Sequence, residues 1–296
     1  MPDAALEQVR SFNRLLTQRV GALNDRYLGR DRPLGECRLL WEIGDEGTDV
    51  RALRSRLGLD SGYLSRLLRN LKAAGLVHTE PRADDRRIRT VLLTETGRAE
   101  RALLNRRSDA LAASFLDPLD SDRQQRLVAA MGEVERLLTA ALVEYAVVDP
   151  ADPDAQLCLR QYVAELGTRF QEGFDPARSV SAEAHELRPP NGLFLLARVF
   201  GDPVGCGALK FHPDEPAELK RMWVADSARG LGIGRRLLEE LESHALAGGA
   251  RVVRLETNKT LVEAIALYRS AGYREVAPFN AEPYAHHWFE KRLLTE

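Results

Sequence analysis

The chain has 296 residues, of which 44% are hydrophobic and 29% charged, with a formal net charge of −2. That length favours two domains over one, and the apolar share suffices for packed cores. No apolar run approaches a membrane span and the N-terminus lacks a basic–apolar–small leader pattern, so a soluble cytoplasmic protein with no membrane partner is expected.

Cys37, Cys158 and Cys206 lie far apart with no metal-ligand spacing, which fits buried thiols in a reducing compartment rather than a disulfide scaffold. The near-neutral total hides an asymmetry. Residues 51–107 hold thirteen Arg and one Lys against six acids, about +8, whereas residues 108–149 come to about −5 and the remainder from 150 to about −3. A basic block inside an acidic chain is an electrostatic footprint for nucleic acid, or else a solvated surface.

Residues 4–28 carry Leu6, Val9, Phe12, Leu15, Leu16, Val20 and Leu23 at the spacing of a long amphipathic helix. Pro33 opens a second helix that stops near Gly44. A short helix over 50–57 ends at Gly58, and Asp60 or Ser61 caps another that runs to about Ala74 and closes at Gly75. In that helix Leu64, Leu67, Leu68 and Leu71 form the apolar stripe, while Tyr63, Ser65, Arg66, Arg69 and Lys72 face away from it. Short helix, glycine turn and second helix with a cationic face make a helix-turn-helix pattern. Residues 76–80 and 89–94 read as two strands around a charged loop, which completes a winged helix.

The run Leu59-x-x-Gly62-x-Leu64-Ser65-Arg66-Leu67-x-x-Leu71-x-x-x-Gly75-Leu76-Val77 is followed by Asp85-Arg86-Arg87 and Leu93-Thr94-x-x-Gly97. Together these resemble the MarR family of transcription factors over about residues 1–145. The resemblance implies double-stranded operator DNA as a partner and a homodimer built by the first and last helices. Tyr63, Ser65 and Arg66 then belong near base edges, with Arg69 and Arg86 or Arg87 on phosphates or in the minor groove, and Ser61 counts among the DNA-binding residues. Arg87 has a structural alternative, pairing with Asp85 to hold the wing. The stretch 98–145 reads as long and helical.

Two prolines and three acids in residues 148–154 mark a linker, so the domains are expected at 1–146 and 147–296. A helix over 156–172 follows, then a hairpin of residues 193–200 and 205–211 and a strand over 217–224. That strand runs into Arg229-Gly230-Leu231-Gly232-Ile233-Gly234-Arg235, a glycine-rich bend that opens a helix carrying Leu237, Leu238 and Leu241. Backbone N–H groups at a helix start favour an anion such as phosphate. A dinucleotide fingerprint fails because its last glycine falls on Arg235, and a P-loop fails for want of Gly-Lys-Ser/Thr. Residues 273–294 read as two strands with a loop between.

Arg229-x-x-Gly232-x-Gly234, then Leu255-Glu-Thr-Asn258, then Ala264-Ile-Ala-Leu-Tyr268-Arg-Ser-Ala-Gly272-Tyr273 resemble, in order and spacing, the GNAT acetyltransferases over residues 147–296. The expected architecture is therefore two domains: a mainly α, MarR-like winged helix-turn-helix, then an α+β GNAT acyl-CoA N-acyltransferase fold. By this resemblance acetyl-CoA is the cofactor. Its pyrophosphate meets the N–H groups around Leu231 to Arg235, and its pantetheine arm the backbone of Met222 and Val224. Tyr268 matches the family's tyrosine facing the sulfur, its alternative being a core aromatic. Asn258 matches a position that contacts cofactor in relatives, or else caps the following helix. Glu218 is the expected general base, if partial burial raises its pKa, or else a strand-end charge paired with Lys220 or Arg221. Of His286 and His287, adjacent strand residues, at most one can face the cleft.

The reading is a dimeric DNA-binding regulator fused to an acetyl-CoA-dependent N-acetyltransferase, whose acceptor is a small amine or a protein lysine. The alternatives are a repressor whose GNAT domain only senses acyl-CoA, and an enzyme whose winged helix only dimerises. The acceptor pocket is expected in the loops 174–191 and 279–287.

Overall fold

The computed structural model describes residues 3–81, 89–180, 182–213 and 216–293. The chain divides into two compact units, Met1–Ala130 and Met131–Glu296.

In the first unit, α1 (Asp3–Val20) is followed by α2 (Leu34–Glu42), β1 (Thr48–Asp49), α3 (Val50–Leu57) and α4 (Ser61–Ala73). Then come β2 (Val77–Pro81), β3 (Arg89–Leu93) and α5 (Glu95–Leu116), while α6 (Ser121–Ala140) straddles the division. The strands order β1-β3-β2, all antiparallel. The caps are those the sequence offers: Asp49 accepts from the Arg51 amide and Asp60 from the Tyr63 amide, so Asp60 rather than Ser61 caps α4. Gly58, at φ +60°, supplies the left-handed stop between α3 and α4. Leu64, Leu67, Leu68 and Leu71 are all buried with Leu39, Leu40 and Leu53, as the stripe requires.

Two expectations change. The first helix ends at Val20 rather than 28, because Gly21 at φ +68° turns the chain out of the helix. The helical stretch 98–145 is two helices, parted at residues 117–120 around Pro118, and its end is a strand. Neither α1 nor α6 buries a residue: Val9, Leu15, Leu137 and Leu138 are more than half exposed.

The second unit begins with that strand, β4 (Val143–Val148), which pairs along its whole length with β5 (Gly192–Val199). A boundary at 146/147 would therefore cut a paired strand. Between them lies α7 (Pro153–Arg169); Pro153, expected in the linker, occupies the first helical turn, where its missing N–H costs nothing, and Asp152 caps it. Then follow β6 (Asp202–Lys210), β7 (Ala217–Val224), α8 (Ile233–Ala247), β8 (Val252–Thr257), α9 (Val262–Ser270), β9 (Arg274–Val276) and β10 (His287–Arg292). The β5–β6 turn holds Phe200 and Gly201, both at positive φ, the geometry that matches strand twist.

The seven strands order β4-β5-β6-β7-β8-β10-β9, and only β7–β8 is parallel. Alternate residues of β5 enter opposite layers. Leu193, Leu195 and Ala197 join Leu237, Leu238 and Leu241 of α8, while Phe194 and Leu196 join Ala155 and Cys158 of α7. A sheet buried on both faces thus holds β7, β8 and the two flanking helices in fixed relation.

Candidate functional site

Strands β7 and β8 pair only at Ala217–Val253 and Glu218–Arg254, then part. A β-bulge in β7 helps to part them. The β6–β7 register shifts between Cys206 and Ala208, and Arg221 sits at φ +56°. At Gly207, opposite the bulge, a Cβ would lie 2.7 Å from Leu241 Cδ1 and 2.9 Å from Met222 Sδ, so both side chains would have to shift to admit one. The fork opens between Met222–Val224 on one side and α9 on the other.

A cleft of about 540 Å³ fills this fork, lined by Met222, Trp223 and Val224, by Arg229, Gly230 and Gly232 to Arg235, by α7 from Tyr162 to Arg169, and by Leu267 and Tyr268. Gly230 (φ +81°) and Gly232 (φ +75°) turn the chain in the left-handed region, and a Cβ at either would meet nothing within 4 Å. Gly232 is the N-cap of α8, and no side chain caps that end. The first amides of α8 thus present uncapped donors and the positive end of the helix dipole to the cleft, which fits a pyrophosphate.

Arg235 lies at this mouth and bonds Ser270 Oγ at 2.7 Å. Arg229 acts structurally: its guanidinium reaches both oxygens of Glu165 at 2.6 and 2.7 Å, pairs with Asp226 and donates through Nε to the Val224 carbonyl. Leu231 packs against the core, and Ile233 is buried at the helix start.

A second, smaller cavity of about 110 Å³ abuts the first; Tyr162, Met222, Ala264 and Tyr268 line both. Its other walls include Phe170, Phe174, Lys220, Arg221, Glu256, Asn258, Glu282 and Tyr284. Tyr268, buried at the junction, has its hydroxyl pKa raised, first by burial and then by the neighbouring Tyr162 and Glu256. It remains a protonated donor at neutral pH. Its ring packs in the core beside Tyr273 and Phe289, as the core-aromatic alternative has it.

Glu218 corrects an expectation. Burial alone would raise its carboxyl pKa, but the Lys220 ammonium at 3.1 Å and the Arg254 guanidinium at 2.8 Å outweigh it and hold the carboxyl below its ordinary value. It lines neither cavity. Its place is the junction where β7 and β8 still pair, and its role there is that of an ion-pair partner. The carboxylate the sequence reading missed is Glu256. Its Oε1 accepts from Lys220 at 2.5 Å, while Oε2 is buried and has no partner among the described residues, and Glu256 lines the smaller cavity. The available signal was alternation: Glu256 stands between Leu255 and Thr257, both buried in the sheet.

Asn258 is also relocated. Its Oδ1 accepts from Thr260 N and Oγ1, its Nδ2 donates to the Tyr284 carbonyl at 2.7 Å, and it lines the smaller cavity, not the cofactor cleft. The turn therefore takes up the amide. Neither His286 nor His287 lines either of these two cavities; His287 pairs with Glu275.

In the first unit, Ser61, Ser65, Arg66 and Arg69 are exposed along α4. Tyr63 is turned inward, packed against the core with its hydroxyl beside Gly35, where a Cβ would lie 2.7 Å away, and its ring carries the Arg66 guanidinium at 5.2 Å. It supports Arg66 rather than reaching outward. Lys72 and Arg89 both donate to Thr79 Oγ1 at the wing base. Arg86 and Arg87, with Asp85, lie outside the described residues.

Two family profiles match the sequence: the MarR family over residues 29–88 and the Acetyltransferase (GNAT) family over residues 159–273. The chain is 38% identical over 125 residues to an IAA acetyltransferase of Azospirillum brasilense, covering 42% of this chain and 80% of that protein. It is 36% identical over 126 residues to the N-alpha-acetyltransferase RimI of Mycobacterium tuberculosis, covering 42% and 74%. A solved acetyltransferase of the GNAT family from Staphylococcus aureus aligns at 18% identity with a TM-score of 0.44, over 51% of this chain and 99% of that one.

Proposed function

Because the chain belongs to the GNAT acetyltransferase family and carries a MarR family domain ahead of that part, we propose that it is a DNA-binding regulator and a working N-acetyltransferase in one polypeptide. The observation that carries the enzymatic half is the meeting of two cavities at Tyr268, with Glu256 also lining the smaller one.

Bound acetyl-CoA supplies an acyl group on a thiolate leaving group. The uncapped amides at the start of α8, with Arg235, hold its phosphates, and the parted edge of β7 at Met222 and Val224 holds its arm. A primary amine in the smaller cavity attacks directly. The carboxylate of Glu256, which lines that cavity, takes a proton from the nitrogen, and Tyr268 gives one to the departing sulfur. Over the cycle an ammonium acceptor sheds two protons: one replaces the proton Tyr268 gave, and the other leaves through Glu256 to solvent.

The regulatory half rests on the cationic face of α4. Arg66, steadied by Tyr63, and Arg69 are offered to the major groove and the phosphates. The unburied apolar faces of α1 and α6 support a homodimer, since residues such as Leu15 and Leu138, at 59% and 63% exposure, need a partner surface.

Tyr268→Phe and Glu256→Gln should each lower kcat by about 10²–10⁴ while acetyl-CoA affinity, measured by calorimetry, stays near that of the unaltered chain. Full activity in both variants would remove the proton-handling roles. Acetyl-CoA binding by the unaltered chain without thiol release from any amine would favour an acyl-CoA sensor.

A further inference from the structure

A reaction between molecules held in the two cavities of the second unit takes place where those cavities meet. Six residues line both: Tyr162, Leu166, Met222, Leu261, Ala264 and Tyr268. Four of these side chains are hydrocarbon or thioether, and only Tyr162 and Tyr268 bring a hydroxyl to the shared wall. Tyr268 serves the departing sulfur in the acetyltransferase reading given above. Tyr162 has no task there, and any task it is given rests on that reading.

Helix α7 sets where Tyr162 stands. Cys158 and Leu166, one helical turn to either side of it, are buried, and Tyr162 itself is half-buried against the cluster that holds Trp223. A side chain between two anchored turns is held in place by the element that carries it. Burial is the first cause of its raised hydroxyl pKa; Arg221 lowers it, while Cys206, Glu256 and Glu282 raise it further. Of these, Arg221, Glu256 and Glu282 line the smaller cavity, and Tyr268 in turn feels Tyr162 next after burial. The Tyr162 hydroxyl thus lies within electrostatic reach of the groups around the junction, and at neutral pH it stays a protonated donor.

Acyl transfer to an amine puts negative charge in two places. As the nitrogen bonds the acetyl carbon, the π pair of the carbonyl moves onto oxygen. When the carbon–sulfur bond breaks, its electron pair stays on sulfur and the carbonyl re-forms. Hydrocarbon side chains offer the first charge nothing, and a donor fixed in a water-poor site is worth far more than the same donor in water. We propose that Tyr162 is a second catalytic phenol, whose hydroxyl donates a hydrogen bond to the acyl oxygen while Tyr268 serves the sulfur. Tyr162 keeps its proton throughout, so the proton balance of the reaction is unchanged.

Infrared difference spectra of the full chain, bound to acetyl-CoA with and without a heavy-carbon label at the acetyl carbonyl, read that contact with no acceptor present. A hydrogen bond to the acyl oxygen weakens the carbonyl bond and lowers its stretch. Tyr162→Phe should therefore raise the stretch, and Tyr268→Phe should leave it in place. Replacing Tyr162 by 3-fluorotyrosine, a stronger donor of nearly the same shape, should lower it further. In thiol release with an amine mixture, Tyr162→Phe should lose about 10²–10³ in kcat while the acetyl-CoA Kd, by calorimetry, stays within about threefold. A stretch that keeps its frequency in Tyr162→Phe, as when backbone amides of β7 hold the oxygen, overturns the proposal. So does a kcat within about threefold of the unaltered chain, whether or not acetyl-CoA affinity falls. Each of these results leaves the acetyltransferase reading standing. Absence of thiol release from the unaltered chain with every amine, acetyl-CoA being bound, overturns that reading and this inference with it.

Discussion

Lys220 stands between two carboxylates and separates their tasks. Glu218 receives Lys220 and Arg254 together, whereas Glu256 receives Lys220 on one oxygen and keeps the other. Glu218→Gln should therefore destabilise the second unit by roughly 3–5 kcal/mol, since it leaves buried cations short of a partner, yet spare kcat the hundredfold or larger loss of Glu256→Gln. Denaturant unfolding beside steady-state kinetics checks both; a kcat loss in Glu218→Gln as large as in Glu256→Gln would restore Glu218 as the base. The sign in pH follows from the lowered carboxyl of Glu218. Its stabilisation is full above the unfolded-state value of about 4.3 and is lost as pH falls through the lower folded value, so unfolding of unaltered protein in acid should show a step that Glu218→Gln lacks.

Among the elements, α8 bears most of the site. It positions the glycine turn and buries Leu237, Leu238 and Leu241 against the sheet, each essentially inaccessible. Leu237→Ala should cost about 2–5 kcal/mol, read by denaturant midpoint, and weaken acetyl-CoA binding as the turn loses its footing; a loss under about 1 kcal/mol would mean that the helix is not held by this face. Much at this scale was legible in sequence. The α4 stripe, the Gly58 stop and the glycine turn before α8 are local signals, and each appears in place. What escaped was set by partners distant in sequence. Nothing near 143–148 announces that it pairs with 192–199, and Pro153 reads as a breaker until it is seen at a first helical turn. The same holds in the site. Tyr268 came with a motif, whereas what sets Glu256 apart, a place in the cavity wall while Lys220 and Arg254 close around Glu218, depends on partners distant in sequence.

For the whole molecule, the two proposed activities use residues of different units: Arg66 and Arg69 in the first, Gly232 and Tyr268 in the second. Gly232→Glu places bulk and negative charge at the uncapped start of α8, where φ is +75°, and should abolish acetyl-CoA binding while leaving operator affinity and its salt slope unchanged. Arg66→Ala with Arg69→Ala should do the reverse, lowering operator affinity and flattening the slope by about one unit per lost phosphate contact. Unchanged acetyl-CoA affinity in the first variant, or an unchanged slope in the second, would sink the corresponding assignment.

The forked sheet is proposed to hold acetyl-CoA and pass its acetyl group to an amine. Calorimetric titration of the full chain with acetyl-CoA, followed in the same sample by thiol release on adding an amine mixture, tests it most directly. Saturable binding is expected, and then release that depends on the amine. An absence of binding would contradict the phosphate cradle at α8, and binding with no amine-dependent release would contradict the chemistry assigned to Glu256 and Tyr268.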